Sequence, residues 1–173
     1  MEGSRGLGDV YKRQYSFSEY ERFIDNINEF SKHSNNEILC VTSRRTDPKV
    51  ENLFFQNIKQ ISEHSIWFHQ GGANADLAKL FGSAQHIMVT EDSAMMISEA
   101  ISSGNLVTTI YPKVINSPSR YDNQIQHYLN RGFMSRSSME ATISLDFNRK
   151  NSSALIEGVQ KQLVKSIIEK IQL

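Results

Sequence analysis

The segment from His86 to Ala100 constrains the fold most, because a short apolar run stops at a polar corner and resumes at once with helical spacing. Ile87, Met88 and Val89 read as a buried strand, Asp92 or Ser93 as a helix cap, and Glu99 as a residue of that helix's second turn. The same order of events occurs upstream. Ile38-Leu39-Cys40-Val41 leads into Thr42-Ser43-Arg44-Arg45-Thr46-Asp47-Pro48, where the Asp-Pro pair starts the next helix. A strand, a corner and a helix in repeated sequence demand parallel pairing, since only a long crossover returns the chain to the same end of a sheet.

The remaining elements follow from spacing. Tyr20, Phe23, Ile24, Ile27 and Phe30 mark an amphipathic helix over 18–31, followed by a strand over 37–42. Val50, Leu53, Phe54, Ile58 and Ile61 share one face of the helix opened by Pro48, and 65–69 reads as the next strand. Gly71-Gly72 breaks the chain, Asn74 caps a short helix to Phe81, and Gly82 ends it. After the helix that begins at the 91–93 corner, Gly104 is a stop, and Val107, Thr109 and Tyr111 lie on a strand. A helix over 119–130 ends at Gly132, a short strand falls near 142–145, and a helix over 152–171 closes the chain. The expectation is an α/β fold, a Rossmann-like parallel sheet with helices on both faces. Ligands of such sheets bind outside the carboxyl ends of the strands, so both polar corners should open on one edge.

Composition narrows the function. The 173 residues include 19 basic and 19 acidic side chains, so no overall field draws the chain to nucleic acid, and an anion site must be local. Cys40, the one cysteine, excludes an internal disulfide and a thiolate metal cluster, and it fits a reducing, cytoplasmic setting. No apolar run approaches the roughly 18 residues of a membrane helix. The N-terminus lacks the apolar core of a signal peptide. Asp9-Val10-Tyr11-Lys12-Arg13-Gln14 matches the translation of a transposon end used in preparing sequencing libraries. Residues 1–14 therefore read as a disordered adaptor scar on a truncated metagenomic fragment, with one domain over 15–173 and the natural sequence upstream of Tyr15 lost.

Arg44 and Arg45 follow a strand directly, where guanidinium groups grip phosphate oxygens in bidentate fashion and Ser43 and Thr46 add hydroxyls. The same arginines would serve a solvated loop by pairing with Asp47 or Glu51. Thr90, Glu91, Asp92 and Ser93 suit a sugar hydroxyl, a divalent cation or a helix cap alike. Glu99 suits ribose hydroxyls or an exposed helix face. The five histidines have no metal-ligand spacing, and neither a Gly-x-Ser-x-Gly elbow nor a Gly-x-Gly-x-x-Gly fingerprint occurs. Hydrolase and dehydrogenase chemistry thus lose their main support.

Val41-Thr42-Ser43-Arg44-Arg45-Thr46, then Gly72-Ala73-Asn74, then Val89 through Ala100, then Gly104 resemble the Elongated Mitochondria (ELM) family of plant mitochondrial fission proteins and their bacterial relatives. His127-Tyr128-Leu129 ahead of Gly132 extends the likeness. The chain departs from it with Asn74-Ala75-Asp76 in place of Asn-Pro-Tyr and Asn105-Leu106 in place of Lys-Pro. The resemblance implies the C-terminal, nucleotide-binding half of a GT-B-like glycosyltransferase fold, with an acceptor domain preceding it. It places Ser43, Arg44 and Thr46 at the diphosphate, Glu91, Asp92 and Ser93 by the phosphates or donor sugar, and Glu99 near the ribose. The expected ligand-binding set is Ser43, Arg44, Arg45, Thr46, Thr90, Glu91, Asp92, Ser93 and Glu99, with no catalytic residue, metal ligand or resident cofactor assigned. The expected partners are a nucleotide-diphosphate sugar and the N-terminal domain of the same protein. Since plant members recruit a dynamin-related protein to mitochondria, the resemblance implies a non-catalytic adaptor as the alternative.

Overall fold

A computed structural model describes residues 14–33, 36–71, 76–145 and 157. Helices α1 (Phe17–Lys32) and α2 (Pro48–Asn57) precede the short α3 (Phe68–Gly71) and α4 (Leu77–Ser83). Strand β1 (His86–Thr90), helix α5 (Ala94–Ser102), strand β2 (Leu106–Tyr111), helix α6 (Ser119–Asn130) and strand β3 (Ser135–Ser138) then alternate. The strands form a parallel sheet in the order β1-β2-β3, with His86 opposite Leu106 and Thr108 opposite Ser135. Among the described residues no helix is long and apolar enough to cross a membrane.

Alternation along the strands divides the core between two faces. Ile87 and Val89 of β1 and Val107 of β2 join Ile97, Ala100 and Ile101 of α5 and Ile125 of α6. Met88 and Ile110 instead meet Phe23, Ile24 and Ile27 of α1 and Val50 and Phe54 of α2. Helices therefore cover both faces, as the Rossmann-like reading requires. Each fully buried aliphatic side chain, such as Ile97 or Val107, contributes about 1.5–3 kcal/mol through removal from water. Gly104 (φ 82°) and Gly132 (φ 71°) supply the left-handed turns that release the chain from α5 and α6 toward the next strands.

Several sequence expectations are corrected. The predicted strands over 37–42 and 65–69 form only isolated parallel bridges, Ile38 to Ile61 and Val41 to Ile66. The second stops early because the Phe68 N–H donates to the Thr42 hydroxyl and the His69 and Gln70 N–H groups donate to the Glu51 carboxylate, which together start α3. Asp76 caps α4 by accepting from the Lys79 N–H at 3.2 Å, and Gly82 lies within that helix instead of ending it. No strand forms over 142–145. The third strand is Ser135–Ser138, a polar segment without the apolar alternation that reveals a buried strand. Residues 1–13, Gly72, Asn74 and, apart from Glu157, the expected helix over 152–171 lie outside the described residues. Gln14 makes an antiparallel bridge to Val114. Burial pushes the Cys40 thiol up to about 12, so it remains a neutral packing group at ordinary pH.

Candidate functional site

The corner after β1 is built from strand register, a helix start and two tyrosines. Thr90 ends the strand opposite Ile110, and its hydroxyl donates to Asp92 Oδ1 at 2.6 Å. Ser93 has the extended backbone of an N-cap, and its Oγ accepts from the Met96 N–H. The Tyr15 hydroxyl donates to the Ile110 carbonyl and accepts from the Glu91 N–H, both at 2.6 Å, while Tyr121 donates to the Glu91 carbonyl at 2.9 Å. Both polar groups of the Glu91 backbone are thus held by side chains from distant parts of the sequence.

The Glu91 side chain turns inward and is only 1% exposed. Arg136 of β3 grips it through two hydrogen bonds, Nε to Oε1 at 2.7 Å and Nη2 to Oε2 at 2.9 Å, and the Thr109 hydroxyl donates to Oε1 at 2.8 Å. The Arg136 guanidinium also lies over the Tyr111 ring, 4.3 Å from its centroid. Burial opposes the charge on Arg136, but the bonds to Glu91 outweigh it and raise the guanidinium above its ordinary value. This carboxylate is a buried anchor of the corner, whereas Asp92 and Ser93 remain at the surface side of it.

The upstream corner uses a different device. The Thr46 N–H donates to the Ser43 carbonyl at 2.9 Å, and the Ser43 N–H donates to the Thr46 hydroxyl at 3.0 Å, closing a tight turn. Asp47 caps α2 through the Lys49 N–H at 2.8 Å. Beneath it Glu51, fully buried, accepts from the Thr42 hydroxyl and from the His69 and Gln70 N–H groups. His69 Nε2 lies 2.8 Å from the Thr46 carbonyl, which fixes that nitrogen as the donor. With Asp47 capping and Glu51 buried, neither takes up Arg44 or Arg45, and among the described residues those guanidinium groups form no ion pair. Both arginines are exposed.

Tyr20 of α1 packs between Tyr15 and α2. Its ring contacts Tyr15, which holds the second corner, at 5.6 Å, and Phe54 of α2 at 5.8 Å. Burial raises its phenol, and the carboxylates of Asp92, Glu19 and Asp47 raise it further. Through Tyr15 and Phe54, Tyr20 links the corner after β1 to α2, the helix that follows the arginine loop. Burial would raise the Glu19 carboxyl, but N–H donation from Ser16 and Lys113 and the Ser16 hydroxyl hold it below its ordinary value.

Ser43, Arg44, Arg45 and Thr46 thus lie on one loop and Thr90, Glu91, Asp92 and Ser93 at the corner after β1. Glu99 stands apart on the exposed side of α5, and no hydrogen bond joins it to either corner. Tyr15, Tyr20, Glu51, Tyr121 and Arg136 were absent from the expected site. Glu51 carried a signal, since it shares a helix face with Val50, Phe54 and Ile58. Arg136, alone among serines, carried none. Among the described residues no three His, Cys, Asp or Glu side chains converge as a metal ion requires.

A family model described as mitochondrial fission ELM1 matches residues 8–155, taking in both corners, Tyr20 and Arg136. The chain belongs to the mitochondrial fission ELM1 family. Neither a curated protein nor a solved structure matches it. Within this ELM1 chain the matched segment includes every strand of the sheet and both buried carboxylate anchors.

Proposed function

We propose that this ELM1-family chain is the nucleotide-diphosphate-sugar-binding half of a GT-B-like, glycosyltransferase-related protein, with an acceptor domain preceding it in the whole protein. The observation that supports the reading is the run of ring contacts Tyr15–Tyr20–Phe54, which links the corner held by Tyr15 to α2, the helix that follows the arginine loop. Parallel sheets with helices on both faces take ligands at such carboxyl-end crevices. Arg44 and Arg45, exposed and without ion pairs among the described residues, supply the charge for a diphosphate. Ser43 and Thr46 shape their loop, and Thr90, Asp92 and Ser93 face the ligand from the other side. Glu91 acts through position, by holding the corner with Arg136. Glu99 takes the ribose in this reading.

Calorimetric titration of the chain with UDP, GDP and ADP sugars tests it. One nucleotide is expected to bind, and Arg44→Ala is expected to weaken it by about tenfold or more through loss of a charged hydrogen-bond pair. Glu99→Ala should act through the ribose and spare the phosphates. Binding by none of the nucleotides, or affinity unchanged in both variants, would refute the proposal.

The exposed apolar side chains Phe17, Val114 and Ile115, near the Gln14 to Val114 bridge, favour the second reading of an adaptor that recruits a protein. An adaptor keeps its partner in pull-downs when Arg44 and Glu99 are replaced and loses it on Val114→Glu.

A further inference from the structure

Arg44 and Arg45 occupy the two central positions of a four-residue turn that begins at Ser43 and ends at Thr46. The Thr46 N–H donates to the Ser43 carbonyl at 2.9 Å, the Ser43 N–H to Thr46 Oγ1 at 3.0 Å, and the Arg45 N–H to Ser43 Oγ at 3.2 Å. These bonds give the turn its shape but do not attach it to the rest of the protein. Among the described residues one hydrogen bond does so, from His69 Nε2 to the Thr46 carbonyl at 2.8 Å.

His69 is itself held where that reach is possible. Its backbone N–H donates to Glu51 Oε1 at 2.8 Å, and the same carboxylate accepts from the Gln70 N–H at 2.9 Å and from the Thr42 hydroxyl. The Thr42 hydroxyl in turn accepts from the Phe68 N–H at 2.8 Å. The Phe68 ring stands edge-on to the imidazole, with centroids 5.3 Å apart and an interplanar angle of 84°. One buried carboxylate therefore clamps the arginine turn at both ends, directly at Thr42 just before it and through His69 at Thr46, its last residue. Ordering a loop and two long side chains when a ligand arrives weakens binding, and a turn that is already set avoids part of that cost.

We infer that His69 is a positioning residue of this site, its ring donor fixing the Ser43–Thr46 turn so that Arg44 and Arg45 meet a diphosphate together. The inference rests on the arginine loop as the anion-binding part of the nucleotide-sugar reading, and it adds what holds that loop. The role requires a donor at this reach and not a charge, so a neutral side-chain amide can fill it.

Titration of the full chain with UDP, GDP, ADP and inorganic pyrophosphate, beside amide exchange without ligand, tests it. His69→Ala keeps the backbone bond to Glu51 and removes the ring. Exchange at the Ser43 and Thr46 amides should quicken about fivefold while β1 and β2 keep their protection, as the loss of one neutral hydrogen bond implies. Each ligand that the unaltered chain binds should weaken by about the same factor. His69→Gln carries an amide donor at similar reach and should restore both quantities, which a ring needed only for packing would not allow. With a nucleotide bound by the unaltered chain, unchanged affinity in His69→Ala, no recovery in His69→Gln, or quickened exchange throughout the sheet overturns the inference and leaves the nucleotide-sugar reading in place. Binding of pyrophosphate alone, weakened in His69→Ala and restored in His69→Gln, upholds the inference and refutes the nucleotide part of that reading. If none of the four probes binds, both fall.

Discussion

The two polar corners are stabilised by different means. The corner after β1 rests on a regular strand and a bidentate ion pair, and Tyr15 and Tyr121 hold its backbone. The corner after residues 38–42 rests on isolated bridges, and the buried Glu51 holds it from below without a cationic partner in a hydrogen bond. The first is cross-linked through residues from four parts of the chain, whereas the second is tied mainly to α2 and α3. A ligand gripped between them would meet one rigid wall and one adjustable wall carrying exposed arginines.

The largest effect should come from the rigid wall. Arg136→Ala leaves Glu91 buried without its guanidinium, and the expected destabilisation is about 3 kcal/mol, at the low end for such pairs because the Arg136 side chain retains 22% exposure. Urea denaturation measures it. Glu91→Gln in the same background should recover part of the loss by removing the stranded charge. If the double change is no more stable than Arg136→Ala, the ion pair is not what holds this corner.

Glu51→Ala should cost less, about 2 kcal/mol, because it orphans two backbone N–H groups and a hydroxyl without stranding a charge. Its effect should also be local. Amide exchange is expected to quicken at 42–47 and 68–71 while β1 and β2 keep their protection. Global loosening instead would erase the distinction between the two walls.

Tyr15→Phe removes one hydroxyl that serves the Ile110 carbonyl and the Glu91 N–H, and about 1 kcal/mol is expected. Ser93→Ala removes the cap of α5 at a similar cost, about 1 kcal/mol. Thermal melts of the two variants and their double combination show whether the tyrosine and the cap act on one corner: additive losses would mean that they do not.

The contrast between the walls also explains which parts were readable. β1, a cap of α5 at Asp92 or Ser93, α5 and the Gly104 turn were legible because strand, cap and stop each depend on residues adjacent in sequence. β3 was not, because Ser135, Arg136, Ser137 and Ser138 have no apolar alternation and become a strand only through register with Thr108 to Tyr111. Phe68 and His69 were misread as strand for the same kind of reason: Thr42 and Glu51, far upstream, claim their N–H groups. Among site residues, the exposed arginines could be named from a local motif, but Glu91 could not be separated from Asp92 without knowing where Arg136 lies.

The smallest expected effect concerns the start of α1, which abuts the rigid wall through Tyr15. Glu19 is buried and completes a capping box with Ser16 while accepting the Lys113 N–H at 2.6 Å. Its folded-state value lies below the ordinary 4.5, so the unfolded chain takes up this proton first as pH falls. The stabilisation is therefore present above about pH 4.5 and declines as pH drops from there through the lower folded value. Glu19→Gln should flatten that part of the acid limb of a stability curve, because the variant lacks at neutral pH the stabilisation that the unaltered chain loses on acidification. A steeper acid limb would show that Glu19 is held protonated.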